Sequence, residues 1–427
     1  MYRYLLPLGM AAFVLLPAFA QNTHYGPVAS GIIANRAVEP PAGITLEAAL
    51  QLALDNNADL SAARNEAAAI DATIQQARLI PNPEVSMQIE GAQRDTRTTT
   101  WLVNQPIELG GKRAARINAA NRAYDTAYAN LSSKRAEIRA AVITAFFNVL
   151  NAQERLRLAE ASLLLAQRGS LVASRRVTAG KVSPVEETKA RVAEANVRLE
   201  LTQAKSELVM ARKRLAATWG NPAPRFQQAE GNVETLPLLP QWQELNARLA
   251  QSPLLTSARH ELERRQAVAE VEKSRRIPDV TVSMGVKKNS EAGNSQAVVG
   301  LSIPFPMFDR NQGNILEALR RTDKARDELA ATEIRLDSEL AQAYERLSTT
   351  RTEAETLQRE ILPGAQSAYD AATTGFEFGK FNFLDVLDAQ RTLLQARSQY
   401  LRTLSEAHSA AAEIDRIIGA PDDANKP

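Results

Sequence analysis

Between Arg113 and Arg176 apolar residues return every seven positions. Val142, Val149, Leu156 and Leu163 form one column, and Ile138, Ala145, Ala152 and Ala159 form a second beside it. Two apolar columns at that spacing make the seam of a left-handed coiled coil. The stretch holds no proline and a single glycine, Gly169, so nothing in it stops a helix. At 1.5 Å per residue such a helix is roughly 95 Å long, and it needs other helices to lie against. A second stretch, from about Asn311 to Thr374, repeats the pattern with Leu340, Leu347, Ala354 and Ile361, shadowed by Leu336, Ala343 and Leu357.

Elsewhere the period falls to two. Val85, Met87 and Ile89 alternate with Ser86, Gln88 and Glu90; the polar Gln93 to Thr98 turns the chain, and Thr100 to Ile107 returns with Trp101 and Val103 on one face. In the second half Val280, Val282, Met284 and Val286 alternate with Thr281, Ser283, Gly285 and Lys287; Asn289 to Asn294 turns, and Ala297, Val299, Leu301 and Ile303 come back. These patterns predict two β-hairpins, about 82–108 and 279–305. Leu102 and Val298 break the alternation, and the aromatic girdle is thin (Trp101, Phe305, Phe308). Alone, such hairpins fit a soluble protein as well as a membrane barrel.

The two halves match in detail. Ile80-Pro81 with Val85-Ser86-Met87 returns as Ile277-Pro278 with Val282-Ser283-Met284, and Gly180-Lys181 returns as Gly379-Lys380. A repeat of roughly 200 residues is too long for a solenoid and marks one duplicated unit. The expected organisation is a first repeat at 44–220, a linker at 221–240, a second repeat at 241–419 and a tail at 420–427. Thr45 is placed to cap a short helix ending near Asn56. Further helices follow, from Asp59 to Leu79 and, in the second copy, from Pro253 to Ile277, each closed by a proline.

Before the first repeat, residues 21–43 hold Gly26-Pro27 and Pro40-Pro41 without a period and read as an extended segment. Residues 1–20 show Arg3, an apolar run from Leu5 to Leu16 and Ala18-Phe19-Ala20, the form of a secretory signal peptide. No cysteine is present, which rules out disulfides and attachment of lipid to a cysteine. Formal net charge is only +2, so bulk charge points to no nucleic-acid partner.

Counting strands then changes the picture. Two hairpins give four strands, a lipid bilayer tolerates no open sheet edge, and the smallest membrane barrels have about eight strands. The chain is therefore expected to pool strands with its own copies. A homotrimer supplies twelve, and the same threefold arranges the long helices into a tube. The expected fold class is mainly α with a small membrane β part: a trimeric 12-stranded β-barrel continued by an α-helical barrel.

Four segments carry a family resemblance over about Thr45–Gly419. They are Pro81-Asn82-Pro83-Glu84, Gln105-Pro106-Ile107-Glu108-Leu109-Gly110-Gly111-Lys112-Arg113, Ile361-Leu362-Pro363 and Phe383-Leu384-Asp385-Val386-Leu387-Asp388-Ala389-Gln390. The chain resembles the outer membrane efflux (TolC-type) family. The Gln105–Arg113 run most resembles its heavy-metal (cobalt–zinc–cadmium-type) branch. The resemblance implies an outer membrane protein with a large periplasmic part, partnered by a periplasmic adaptor and an inner-membrane RND-type pump. It implies passive conduction, with heavy-metal cations as cargo or, alternatively, drugs and other small molecules.

The long helices end in two turns, 177–184 and 375–383. Gly180 and Gly379 suit left-handed C-caps, Ser183 and Asn382 suit the next N-caps, and Lys181, Val182, Lys380 and Phe381 lie between them. Caps alone account for these residues. Three aromatics expected to be exposed in the second turn (Phe376, Phe381, Phe383) favour a docking surface, and the resemblance assigns such tips to the adaptor. Glu186, Asp385 and Asp388 follow the turns; dipole compensation explains Glu186 and Asp385. A threefold would instead make each a ring of three, favouring cations. The resemblance places Asp385 and Asp388 at acidic rings of the tunnel's closed end and Glu186 in its closing network. Phe376 and Phe381 replace a tyrosine and an arginine there, so closure is expected to rest more on apolar packing.

Catalysis has little to build on. His24, His260 and His408 lack ligand neighbours at metal-site spacing, and His408 extends the helical column Leu387, Leu394, Leu401. No phosphate loop or nucleophile signature occurs. No cofactor and no resident metal site is expected. Two rivals stand beside the duct. A periplasmic adaptor would carry one helical hairpin set in small β-domains, and a secreted coiled-coil scaffold would have no use for paired amphipathic hairpins.

Overall fold

The computed structural model describes residues 39–91, 93–378, 380–381 and 383–419. The signal peptide, residues 21–38 of the extended segment, Gly379, Asn382 and the tail 420–427 lie outside the described residues.

The chain runs β1 (Gly43–Thr45), α1 (Leu46–Asn56), α2 (Ala58–Arg78), β2 (Glu84–Glu90), β3 (Thr98–Ile107), α3 (Lys112–Thr178) and α4 (Pro184–Ala217). It continues β4 (Gln228–Glu230), α5 (Trp242–Leu249), α6 (Pro253–Ser274), β5 (Val280–Asn289), β6 (Asn294–Ser302), α7 (Gln312–Thr356), α8 (Leu362–Glu377) and α9 (Phe383–Ile418). Local chemistry sets many of the boundaries. Thr45 Oγ1 accepts from Ala48 N at 3.3 Å to start α1, and Asn57 Oδ1 accepts from Leu60 N at 2.9 Å to start α2. Two prolines, Pro184 and Pro253, open α4 and α6 at the position where a missing N–H costs nothing.

The four longer strands form one antiparallel sheet in the order β2-β3-β5-β6. The hairpins thus join through β3 and β5, with Trp101 opposite Val286 and Val103 opposite Met284. Leu102 faces Gly285, and Gly285 faces Val298. A Cβ on Gly285 would lie 2.8 Å from Leu102 Cδ2, so Leu102 covers the space that the glycine leaves open. The two residues that broke the alternation are therefore filler on the polar face beside a glycine. Among the described residues the outer edges of β2 and β6 have no partner strand.

Between sheet and helices the chain is held by ion pairs and left-handed residues. Gly110 and Gly111 have φ of 68° and 72°, and a Cβ on Gly110 would meet Ile277 Cβ at 2.8 Å. Arg116 binds Glu108 at 2.6 and 3.2 Å and donates to the carbonyls of Ala77 and Leu79 at the end of α2. The Glu108 carboxylate raises the pKa of Arg116. Lys112 Nζ and Leu109 N both reach Asp279 Oδ1, at 2.7 and 3.1 Å, tying the first hairpin's exit to the second's entry. In the second half Asn311, at φ 58°, caps α6 by donating to Glu272 O at 2.8 Å.

The 67 residues of α3 pack on α2 and α6 toward the sheet and on α4 and α9 toward the other end. Val142 and Val149 are fully buried, but Leu156 and Leu163 are only half-buried. Past Val149 the seam passes to Ala152, Ala159, Ala166 and Ala173, all buried, because small residues let neighbouring helices approach closely. In the second half the expected single helix is interrupted by a π-turn at Leu357–Ile361, just before Pro363. Proline at 363 has no N–H for the carbonyl of Arg359, and the wider turn accommodates that loss. The extra residue moves the seam on by one. Ile361, expected in the column, is 45% exposed, and Ala365 and Ala372 are buried instead.

The 221–240 stretch, expected as a plain linker, is built into the core. Its strand β4 pairs in parallel with β1, and Phe226, Ala229 and Val233 are buried with Phe146, Leu215 and Leu404. Glu39, 5% exposed, accepts from Trp219 Nε1 at 2.7 Å, from Arg225 N at 2.6 Å and from Asn221 Nδ2. A second core gathers Leu245, Leu255, Leu336, Leu340, Leu347, Ile414 and Ile417 from α5, α6, α7 and α9.

Candidate functional site

The site lies where the long helices reverse direction, at the end remote from the sheet. In the first turn Gly180, at φ 67°, donates to Val177 O and Lys181 N donates to Arg176 O, both at 2.9 Å. This is a Schellman closure, and a Cβ on Gly180 would have nothing within 4 Å. Ser183 Oγ then accepts from Val185 N at 3.3 Å and starts α4. The turn leaves Lys181 and Ser183 exposed, with Val182 half-buried. In the second turn Gly375 O accepts from Lys380 N at 2.7 Å and Phe381 N at 3.2 Å. The Phe381 ring lies over Gly375, where any side chain on the glycine would collide with it.

Phe376 was expected to be an exposed aromatic and is not. It packs with Leu387 against the buried Ala173 and Ala190, and the Arg176 guanidinium sits 4.6 Å from its ring centroid. Side chains from all four of α3, α4, α8 and α9 thereby lock the two turns together. Alanines at 173 and 190 leave room for the ring, and an arginine over its face adds a cation–π attraction of about 1 kcal/mol. Phe381 is 48% exposed, and Phe378, which sequence reasoning passed over, is 77% exposed. The side chain of Phe383 lies outside the described residues. The only signal for Phe378 was its place beside the glycine of the turn.

Asp385 and Asp388 are exposed on the first turns of α9, and Glu186 is half-buried on the first turn of α4. The shared reversal brings all three to one end of the molecule. Glu186 N donates to Ser183 O at 2.9 Å, within the α4 cap. Among the described residues neither Glu186 nor Asp388 has a basic partner within ion-pair distance, whereas Glu187 binds Arg191 at 2.5 Å. Carboxylates left without a cation keep their charge available to whatever passes or docks.

Among the described residues no group of three or more His, Cys, Asp and Glu side chains is arranged to hold an ion. His260 Nδ1 lies 3.3 Å from Glu263, which also binds Arg122 at 3.0 Å. His408 is buried and stacked on Phe147 with ring centroids 3.4 Å apart. His24 lies outside the described residues. Among those residues no helix is long and apolar enough to cross a membrane.

Comparison with known proteins places this geometry. Residues 49–221 and 245–420 match the outer membrane efflux protein family. The chain is 51% identical over 420 residues to the cobalt-zinc-cadmium resistance protein CzcC of Cupriavidus metallidurans, covering 98% of this chain and 100% of that one. It is 30% identical over 334 residues to the nickel and cobalt resistance protein CnrC of the same organism, covering 77% and 76%. The solved structure of the outer membrane protein VceC of Vibrio cholerae shares its fold, with a TM-score of 0.74 at 19% identity over 88% of this chain and 96% of that one. With both halves matched and a sheet set on paired helical hairpins, the chain belongs to the outer membrane efflux protein family, a family of outer membrane channels rather than enzymes.

Proposed function

We propose that three copies of this chain close into a duct that carries divalent heavy-metal cations (cobalt, zinc or cadmium) out of the cell. The cations arrive from an inner-membrane RND-type pump through a periplasmic adaptor. The observation that carries this reading is the full-length 51% identity to a cobalt-zinc-cadmium resistance protein. Two unpartnered sheet edges support closure by copies, because each unsatisfied backbone group in lipid costs several kcal/mol. In this reading 44–220 and 241–419 act as equivalent repeats. Gly180, Lys181, Val182 and Ser183, with Gly379, Lys380, Phe381 and Asn382, meet the adaptor. Asp385, Asp388 and Glu186 ring the narrow end, concentrating cations without holding them, since a conduit must release its cargo.

The test is complementation. A strain that keeps the pump and adaptor of a cobalt-zinc-cadmium exporter but lacks its outer membrane component should regain metal tolerance when this chain is expressed. Presence of the protein in the outer membrane without any gain in tolerance would overturn the metal cargo. Restored tolerance to an organic toxin instead would assign the duct to small molecules.

A further inference from the structure

One face of the sheet is apolar and open. Val85 and Met87 on β2, Trp101 and Val103 on β3, Met284 and Val286 on β5 and Val299 and Leu301 on β6 are each between 47% and 74% exposed. The register sets them in rows: Met87, Trp101, Val286 and Ala297 in one, Val85, Val103, Met284 and Val299 in the next. A contiguous apolar band of this kind needs an apolar partner. In an outer membrane channel that partner is lipid. The opposite face carries Ser86, Gln88, Asn104, Ser283 and Lys287.

At the hairpin turns the lipid-facing band ends in cations. Lys288 continues the Met284–Val286 series and stands opposite Thr99 and Ser295. Arg97 precedes Thr99 by two residues with extended backbone, and its carbonyl accepts from Ser290 N at 2.9 Å, so the ladder reaches it. Both cations thus belong to the lipid-facing side, above the Trp101–Val286 row, with two hydroxyls beside them. Neither has a carboxylate within ion-pair distance among the described residues, and Arg97 Nε is buried without a partner. Lys287, on the polar face, lies 4.0 Å from Glu90 and is balanced within the chain.

We propose that Arg97 and Lys288 form a binding site for the phosphates of lipid A, the phosphorylated lipid of the outer leaflet, whose acyl chains lie along the Trp101–Val286 row. The turns are at the end of the sheet remote from every α-helix, with only the short 3-10 turn Arg94–Thr96 beside Arg97, which puts them at the outer surface if the α-helices occupy the periplasm. A guanidinium grips a phosphate through paired N–H groups, and an ammonium reaches from an apolar stem to headgroup level. Two cations match the two phosphates of one lipid A, whereas a glycerophospholipid with one phosphate leaves a cation unmatched. The site rests on the outer membrane duct reading.

Purified protein in detergent is titrated with bisphosphorylated lipid A, with its dephosphorylated form and with phosphatidylglycerol, and native mass spectrometry counts the bound lipid. The wild type should retain bisphosphorylated lipid A roughly tenfold more tightly than either alternative, the scale of one charge-assisted contact. Arg97→Gln with Lys288→Gln should lose that preference, and Lys287→Gln, on the other face, should keep it. Equal retention by the double variant, equal loss by Lys287→Gln, or phosphatidylglycerol binding as tightly as lipid A would each overturn the site. Conductance of the same samples in planar bilayers is read separately. A wild type that conducts normally but shows no preference for bisphosphorylated lipid A sinks the lipid site alone, while absence of conductance from every sample sinks the duct beneath it.

Discussion

His408 shows how a position legible as a helix face becomes a property only in the folded core. It is 7% exposed and lies parallel to the Phe147 ring, with an interplanar angle of 9°. Burial lowers its pKa below 6.5, and the backbones of Val233 and Thr235 oppose that only in part. The folded state therefore binds a proton less readily than the unfolded one. Stability should rise with pH across the interval up to about 6.5 and be lost as pH falls through it. Urea midpoints measured between pH 7.5 and 5 should fall with acid in the wild type and fall less steeply in His408→Gln. Identical slopes for the two proteins would assign the acid sensitivity elsewhere. Asp415 contributes the opposite sign: burial raises its pKa against the pull of Arg139 and Arg248, so that contribution weakens as pH rises. The comparison with His408→Gln isolates the histidine from it.

Among the elements, the join between β3 and β5 is the one with least tolerance. A Cβ on Gly285 would sit 1.9 Å from Trp101 O, a backbone atom that cannot move without breaking the ladder. Gly285→Val should cost about 3 kcal/mol or more through overpacking and abolish the assembly of copies, measured as the loss of an SDS-resistant band on gels. Gly300→Ala is the matched control, since its Cβ would meet Ser283 Cβ at an ordinary 3.5 Å. Loss of the assembly in both variants would show general sheet fragility rather than a close approach at 285. The π-turn before Pro363 works at the same scale. It hands the seam from Ala354 to Ala365 and leaves Ile361 outside, so a helix that reads as continuous in heptads is two helices in register with different neighbours.

For the whole molecule the decisive features are two open strand edges and an acidic end. In detergent the particle should have the mass of three chains; a stable single chain would contradict closure by copies. In planar bilayers Asp385→Asn with Asp388→Asn should lower the preference of the open duct for cations over anions several-fold, because in the proposed duct of three copies it removes six carboxylates from the narrow end. Unchanged selectivity would place the constriction away from α9. Neither substitution touches the packing of Phe376 on Ala173 and Ala190, so the tips should stay joined.

Period and duplication were legible from the residues alone, because they report local geometry. Heptads make α3 and α7 helical, period-two runs make β2, β3, β5 and β6 strands, and offsets of roughly 200 residues reveal one unit used twice. Caps such as Thr45, Gly180 and Ser183 could be read for the same reason: a helix end is satisfied by residues close by in sequence. What a side chain meets across the molecule could not be read. The parallel pairing of Gly43–Thr45 with Gln228–Glu230, the packing of Phe376 on Ala173 and Ala190 and the stacking of His408 on Phe147 all join residues far apart in sequence. Leu156 and Ala159 carry equal weight in a heptad, yet only the alanine is buried, because the distance between neighbouring helices decides which column fits. Sequence thus determined which elements form and that they come in pairs; the tertiary structure decided which face of each is buried, because packing depends on neighbours that no local pattern names.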